Sequence, residues 1–127
     1  MADATAYLSN YRQSPRKVGR VADTLRGKRV TAALAALDIM PKRAAGPLAK
    51  LVRSAVANAR AKGINQDELV VSSIQVGKGM TLKRAVQKAR GSSAIIRKEA
   101  SHVTLELTRV ALKAKKTPAA KKAAAAK

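Results

Sequence analysis

The chain has no cysteine, no tryptophan and no phenylalanine, and its only aromatic residues are Tyr7 and Tyr11. Without cysteine there is no disulfide and no thiolate metal site. Without aromatic platforms a run of unpaired bases cannot be stacked as single-strand readers stack it, so contacts with nucleic acid should go to phosphate, sugar and helix shape. Acid is scarce as well: 7 Asp and Glu stand against 27 Lys and Arg. The seven are Asp3, Asp23, Asp38, Asp67, Glu68, Glu99 and Glu106, of which only Asp67 and Glu68 adjoin. No spacing among them supplies a paired general acid and base, and the single histidine, His102, has no partners for a metal. Neither an enzyme nor a bound metal or cofactor is expected. Long apolar runs are also missing. None approaches the roughly 20 residues of a membrane span, and the start of the chain lacks the regions of a secretory signal. A cytoplasmic or organelle-matrix setting is expected.

What remains is positive charge. The formal net charge is +20 on 127 residues, a length that implies one compact domain. Charge of this size speaks to partners rather than to fold, and phosphate backbone is its commonest partner. An anionic membrane is the rival, but no basic amphipathic helix has the aromatic anchors that a bilayer surface favours.

The organisation can be read from periodicity. Ala2 to Arg12 reads as a strand, with Tyr7, Ser9 and Tyr11 on one side and Ala6, Leu8 and Asn10 on the other. Ser14-Pro15 starts a helix whose buried stripe is Val18, Val21, Ala22 and Leu25, and Gly27 is placed to end it. Thr31 can cap a short second helix, with Val30 packing on Leu34 and Pro41 following. Leu48, Leu51, Val52, Ala55, Val56 and Ala59 form the stripe of a long third helix ended by Gly63. Pro47 leaves two options: the helix starts there, or it starts near Lys42 and bends. Asn58, mid-helix among alanines, suits a hydrogen bond inside the domain. Leu69–Val76 and His102–Thr108 read as strands of one sheet. The expected fold is α+β: a three-stranded antiparallel sheet, three helices on one face, and a long protruding β-hairpin between the last two strands.

That protrusion, about residues 78–100, is the most informative segment. It carries Lys78, Lys83, Arg84, Lys88, Arg90, Arg97 and Lys98 and no acid up to Lys98. Gly77-Lys78-Gly79 suggests a bulge where it leaves the sheet, and Ala89-Arg90-Gly91-Ser92-Ser93 reads as its turn. With few apolar residues it should be mobile in the free protein. Arg12, Arg16, Lys17, Arg20, Arg26 and Lys28 form a second basic patch, at a helix start whose amides also favour phosphate. His102 is a candidate RNA contact with a structural role as the alternative. Residues 111–127 collapse to Ala and Lys and read as a tail that is disordered when free, beyond a single domain at 1–110.

Ser14-Pro15-Arg16-Lys17-Val18 with Val21-Ala22-Asp23-Thr24-Leu25-Arg26-Gly27-Lys28, then Ser54-Ala55-Val56-Ala57-Asn58-Ala59, then Lys83-Arg84, Ala89-Arg90-Gly91, Ile96, Lys98 and Ser101-His102-Val103 resemble, in order and spacing, the large-subunit ribosomal protein family numbered twenty-two. The resemblance implies a structural protein that binds ribosomal RNA, contacts neighbouring ribosomal proteins and aids subunit assembly. It also implies that the hairpin lines the nascent-peptide exit tunnel, with Lys88, Ala89, Arg90, Gly91, Ser92 and Ser93 at its tip beside the nascent polypeptide. In that family hairpin changes affect macrolides and stalling. This chain departs from the family at Glu99, where a basic residue is usual, and at Ser92 and Ser93. The competing reading is a nonspecific DNA-compacting protein of the nucleoid, because Ala/Lys tails suit duplex DNA. Ordered motifs and a long hairpin argue instead for one fixed site and for no specific DNA partner.

Overall fold

A computed structural model describes residues 3–109. The Ala/Lys-rich stretch 111–127 lies outside the described residues. The chain order is strand β1 (Ala4–Tyr11), helices α1 (Pro15–Asp23), α2 (Val30–Ile39) and α3 (Ala45–Ala61), a 3-10 turn at Gln66–Glu68, strand β2 (Leu69–Gln87), a tight turn, and strand β3 (Ser93–Arg109). The sheet is antiparallel in the order β1-β3-β2. The α+β expectation holds.

One face of the sheet is buried because its alternate residues are apolar. Val103, Leu105 and Leu107 of β3 are fully buried, as are Leu69 and Val71 of β2 and Ala4 of β1. The helices lay their own stripes on that face: Val18, Val21 and Ala22 from α1, Val30, Ala33 and Leu37 from α2, and Leu48, Leu51, Val52, Ala55, Val56 and Ala59 from α3. Burying a Leu or Val side chain is worth about 1.5–3 kcal/mol, so this layer holds the domain together. Alanines at α3 positions 45, 49, 55 and 59 let the helix lie close to the sheet. Asn58 Nδ2 donates to the Thr5 carbonyl at 2.8 Å and Lys62 Nζ to the Asp3 carbonyl at 2.7 Å, tying α3 to β1.

The structure corrects several local expectations. The strand expected from Ala2 to Arg12 runs Ala4–Tyr11, and its alternation breaks. Leu8 pairs with Val103 and Tyr11 with Ser101, so β1 has one residue too many there, and Asn10 takes φ 51°. The bulge turns Tyr11 onto the core side, away from Tyr7, and its hydroxyl points to Gln13 Oε1 (2.8 Å) and the Arg43 carbonyl (3.3 Å). Thr31 is not a cap: α2 begins one residue earlier, at Val30, after an extended Arg29. Full burial of Val30 sets that start, not a side-chain oxygen. Pro47 does not start α3, which begins at Ala45. It is the third helical residue, where its missing N–H belongs to a group that has no partner within the helix in any case.

Gly63 ends α3 by left-handed geometry, whereas Gly27, expected to end α1, does not. At Gly63 (φ 74°) the Ile64 N–H bonds the Ala59 carbonyl (3.1 Å) and the Gly63 N–H the Arg60 carbonyl (2.9 Å), a full Schellman motif with Ile64 buried beneath it. Gly27 (φ 71°) comes later than a cap, since α1 stops at Asp23. It turns the chain so that its N–H reaches the Val71 carbonyl, while Val71 N–H returns to the Lys28 carbonyl.

The protruding β-hairpin is present as expected. The sheet strands Leu69–Val76 and His102–Thr108 continue into its arms, so β2 and β3 form one ladder as far as Gln87 opposite Ser93. A bulge does lie between Lys78 and Thr81, as the glycine pair suggested, and another lies between Val71 and Ser73. All three bulges put the extra residue in an outer strand, leaving β3 as the unbroken centre. At the second glycine the strands approach closely: a Cβ on Gly79 would sit 3.2 Å from both the carbonyl carbon and the oxygen of Ala100.

Candidate nucleic-acid interface

Antiparallel partners share a face, so the register fixes how the hairpin displays its charge. On one face lie the pairs Thr81/Glu99, Lys83/Arg97, Ala85/Ile95 and Gln87/Ser93; on the other lie Leu82/Lys98, Arg84/Ile96 and Val86/Ala94. Lys83 and Arg97 therefore stand directly opposite each other, an arrangement that weakens a two-stranded ribbon in water. Among the described residues the ion pairs are Arg26–Asp23, Arg53–Asp38 and Arg109–Glu68, and none involves residues 78–100. The ribbon also leaves Ile95 (67% exposed) and Ile96 (47%) uncovered. An anionic partner would relieve the charge and cover the aliphatic groups together.

The tip closes in five residues. Lys88 N–H bonds the Ser92 carbonyl (2.8 Å), and Ser92 Oγ donates to the Ala89 carbonyl (2.9 Å). Arg90 (φ 58°) and Gly91 (φ 70°) both take the left-handed conformation that reverses the chain. For Gly91 this is free of steric cost; for Arg90 it costs roughly 1–2 kcal/mol. The same geometry leaves Lys88, Arg90 and Ser93 exposed.

The second patch joins the first through the fold. Arg12, Gln13, Ser14, Lys17, Arg43, Arg97, Lys98 and Glu99 line one cleft of about 560 Å³ at the hairpin root. Five cations, from the end of β1, the start of α1, the α2–α3 connection and β3, share this cleft with a single carboxylate, Glu99, and none of them pairs with it. The positive end of α1 adds to the same field. Arg43 is the member that sequence reasoning missed; it stands apart from both basic patches along the chain, and only packing of the α2–α3 connection against Tyr11 brings it in. Arg16 and Arg20 are exposed on α1 beside the cleft.

Other candidates are tied into the fold. Arg26 reaches the Ile74 carbonyl at 3.1 Å and Asp23 at 3.5 Å, strapping the loop after α1 to β2. Lys28 accepts the Val71 N–H on its backbone carbonyl and keeps its side chain exposed. Lys78, opposite Ser101, is exposed. His102 is engaged on both sides: Nδ1 accepts the Asn10 N–H at 3.2 Å, and its ring stacks on Tyr7 with centroids 6.0 Å apart. Among the described residues no group of three or more metal-ligating side chains occurs, and no helix is long and apolar enough to cross a membrane.

Comparison with known proteins fits this geometry. Large ribosomal subunit protein uL22 of Mesoplasma florum is 49% identical over 104 residues, spanning 81% of this chain and 93% of the relative. The protein of that name from Desulfatibacillum aliphaticivorans is 46% identical over 96 residues, spanning 76% and 89%. That from Trichlorobacter lovleyi is 46% identical over 107 residues, spanning 84% and 95%. Residues 6–108 match the family described as Ribosomal protein L22p/L17e, an extent that takes in nearly the whole sheet, all three helices and the hairpin, and the chain belongs to that family.

Proposed function

We propose that this chain is a structural, non-catalytic constituent of the large ribosomal subunit, working in the cytoplasm within the ribosome. Residues 1–110 act as one RNA-binding domain. Lys78, Lys83, Arg84, Arg97 and Lys98 neutralise phosphates of ribosomal RNA along the hairpin, and Arg12, Arg16, Lys17, Arg20 and Arg43 extend that contact over the domain. The tip, Lys88–Ser93, meets the nascent polypeptide in the exit tunnel, and the globular part contacts neighbouring ribosomal proteins. The single observation behind this reading is a ribbon that places Lys83 across from Arg97 with no acid paired to either. Such a ribbon suits an RNA-lined channel better than water. The DNA-compaction reading has only net charge and the Ala/Lys-rich tail sequence in its favour.

The test is sedimentation of tagged protein from lysate through a high-salt sucrose gradient, with a deletion of residues 83–98 run beside it. Stoichiometric migration with large subunits is expected. Protein that stays at the top, or that travels with DNA, would overturn the proposal.

A further inference from the structure

Beside the root cleft lies a second depression, about 440 Å³ in volume, between α1 and the connection from α2 to α3. Its chemistry differs from that of the hairpin. The floor is apolar: Val21 and Ala44 are buried, and Met40 is half-buried against the core. The rim is cationic, formed by Lys17, Arg20, Lys42 and Arg43, and none of these four makes an ion pair within the described residues. Gln13 and Thr24 supply polar atoms at the edge. The Gln13 carbonyl oxygen is taken by Tyr11 and the Thr24 hydroxyl proton by the Val21 carbonyl. The Gln13 amide group is left to donate and the Thr24 oxygen to accept.

A phosphate alone needs no apolar floor, and an apolar side chain needs no ring of four cations. One ligand uses both: a nucleotide unstacked from its neighbours, with its base on the floor and its flanking phosphates on the rim. We propose that this depression holds a single extruded nucleotide of the RNA, with Met40 and Val21 beneath the base and the Arg43 and Arg20 guanidinium planes available beside it. The volume lies within the range of small-ligand sites, roughly 300–1,000 Å³. Guanidinium planes can take the place of aromatic rings under splayed-out bases, which matters in a chain whose aromatic residues are two tyrosines. The proposal rests on the RNA-binding reading above and adds to it a contact that reads unpaired structure rather than charge.

The test uses the full chain and two RNA hairpins of equal length, one fully paired and one with a single bulged 2-aminopurine. Affinities are measured at matched salt, with the fluorescence of the bulged base as a local reporter. The expected result is about tenfold tighter binding of the bulged RNA, the low end of what stacking one base contributes, and a fluorescence change on binding. In Met40→Ala and Arg43→Gln that preference should fall to about threefold or less. Met40→Ala should keep its affinity for the paired hairpin, which also shows that it is folded. Equal binding of both hairpins by the wild type would overturn the nucleotide site while leaving RNA binding intact. A preference that persists in both variants would place its origin elsewhere and overturn it too. A poly-glutamate peptide that binds the wild type but not these variants, without any bulge preference, would assign the depression to an acidic protein segment. Failure to bind either RNA would instead count against the RNA-binding reading itself.

Discussion

Replacing Lys83 and Arg97 together with Gln should make the free hairpin firmer and its grip on RNA weaker. The two effects come from the same pair. Lys83 and Arg97 are cross-strand partners on one face. With their charged ends splayed to about 8 Å in water, the repulsion is about 0.5 kcal/mol, inside the roughly 0.2–1 kcal/mol typical of cross-strand pairs. Removing it should slow amide exchange across residues 81–98 of the free protein about twofold, relative to exchange in the helical layer. On RNA the sign reverses. Each phosphate contact contributes about 0.7–0.9 to the slope of log affinity against log salt, so losing two lowers the slope by about 1.4–1.8. Between 50 and 200 mM salt the wild type should then lose roughly seven- to twelvefold more affinity than the variant. Fluorescence anisotropy with a large-subunit ribosomal RNA fragment at four salt concentrations measures this, and hydrogen exchange measures the other effect. An unchanged salt slope would show that neither cation meets a phosphate. Faster exchange in the variant would show that the two charges do not strain the ribbon.

Two further substitutions test the backbone. Gly79→Ala places a Cβ 3.2 Å from the Ala100 carbonyl, whereas Gly77→Ala meets nothing nearer than 3.9 Å. The first should destabilise by about 1–3 kcal/mol in urea unfolding, whereas the second should leave stability unchanged or raise it by up to about 1 kcal/mol, and equal losses would contradict the close approach. Gly63→Ala forces a side chain into φ 74° at the end of α3 and should cost about 1–2 kcal/mol by the same measurement; an unchanged unfolding midpoint would mean that the Schellman turn adjusts freely.

The helices were legible because their apolar spacing is strong. Val18, Val21, Ala22 and Leu25, and the stripe from Leu48 to Ala59, are buried as that spacing requires. Strand alternation was legible only where one face is buried. Past Val76 the partners are cations, small residues and scattered aliphatics, so the hairpin was legible from its central turn and two basic arms, while its register as far as Gln87 was not. Bulges hide for a related reason. Asn10 inserts one residue into an alternating run, and every assignment beyond it changes face, which is why Tyr11 was placed with Tyr7. The patches at Arg12–Lys17 and Arg97–Lys98 were each visible, but their union in one cleft with Arg43 was not, because it depends on where the α2–α3 connection packs. Thr31 misled because hydroxyl residues favour caps, while burial of Val30 decided the start of the helix.

The central place of β3 has a consequence for the order in which the protein comes into being. Both outer strands pair with β3 and not with each other, and β3 is the last described element along the chain. During synthesis β1 emerges first and waits, with Ala4 destined for Leu107 at the other end of the domain. The helices can form early, but the sheet that their apolar faces cover does not exist until residues 93–109 have appeared. Loop closure over nearly the full length makes this a slow pairing. Throughout that interval the chain is a partly folded polycation with its apolar stripes uncovered. Completion of the last strand is therefore the event that converts the chain, in one step, from a species prone to aggregate on any available polyanion into one shaped to select its place.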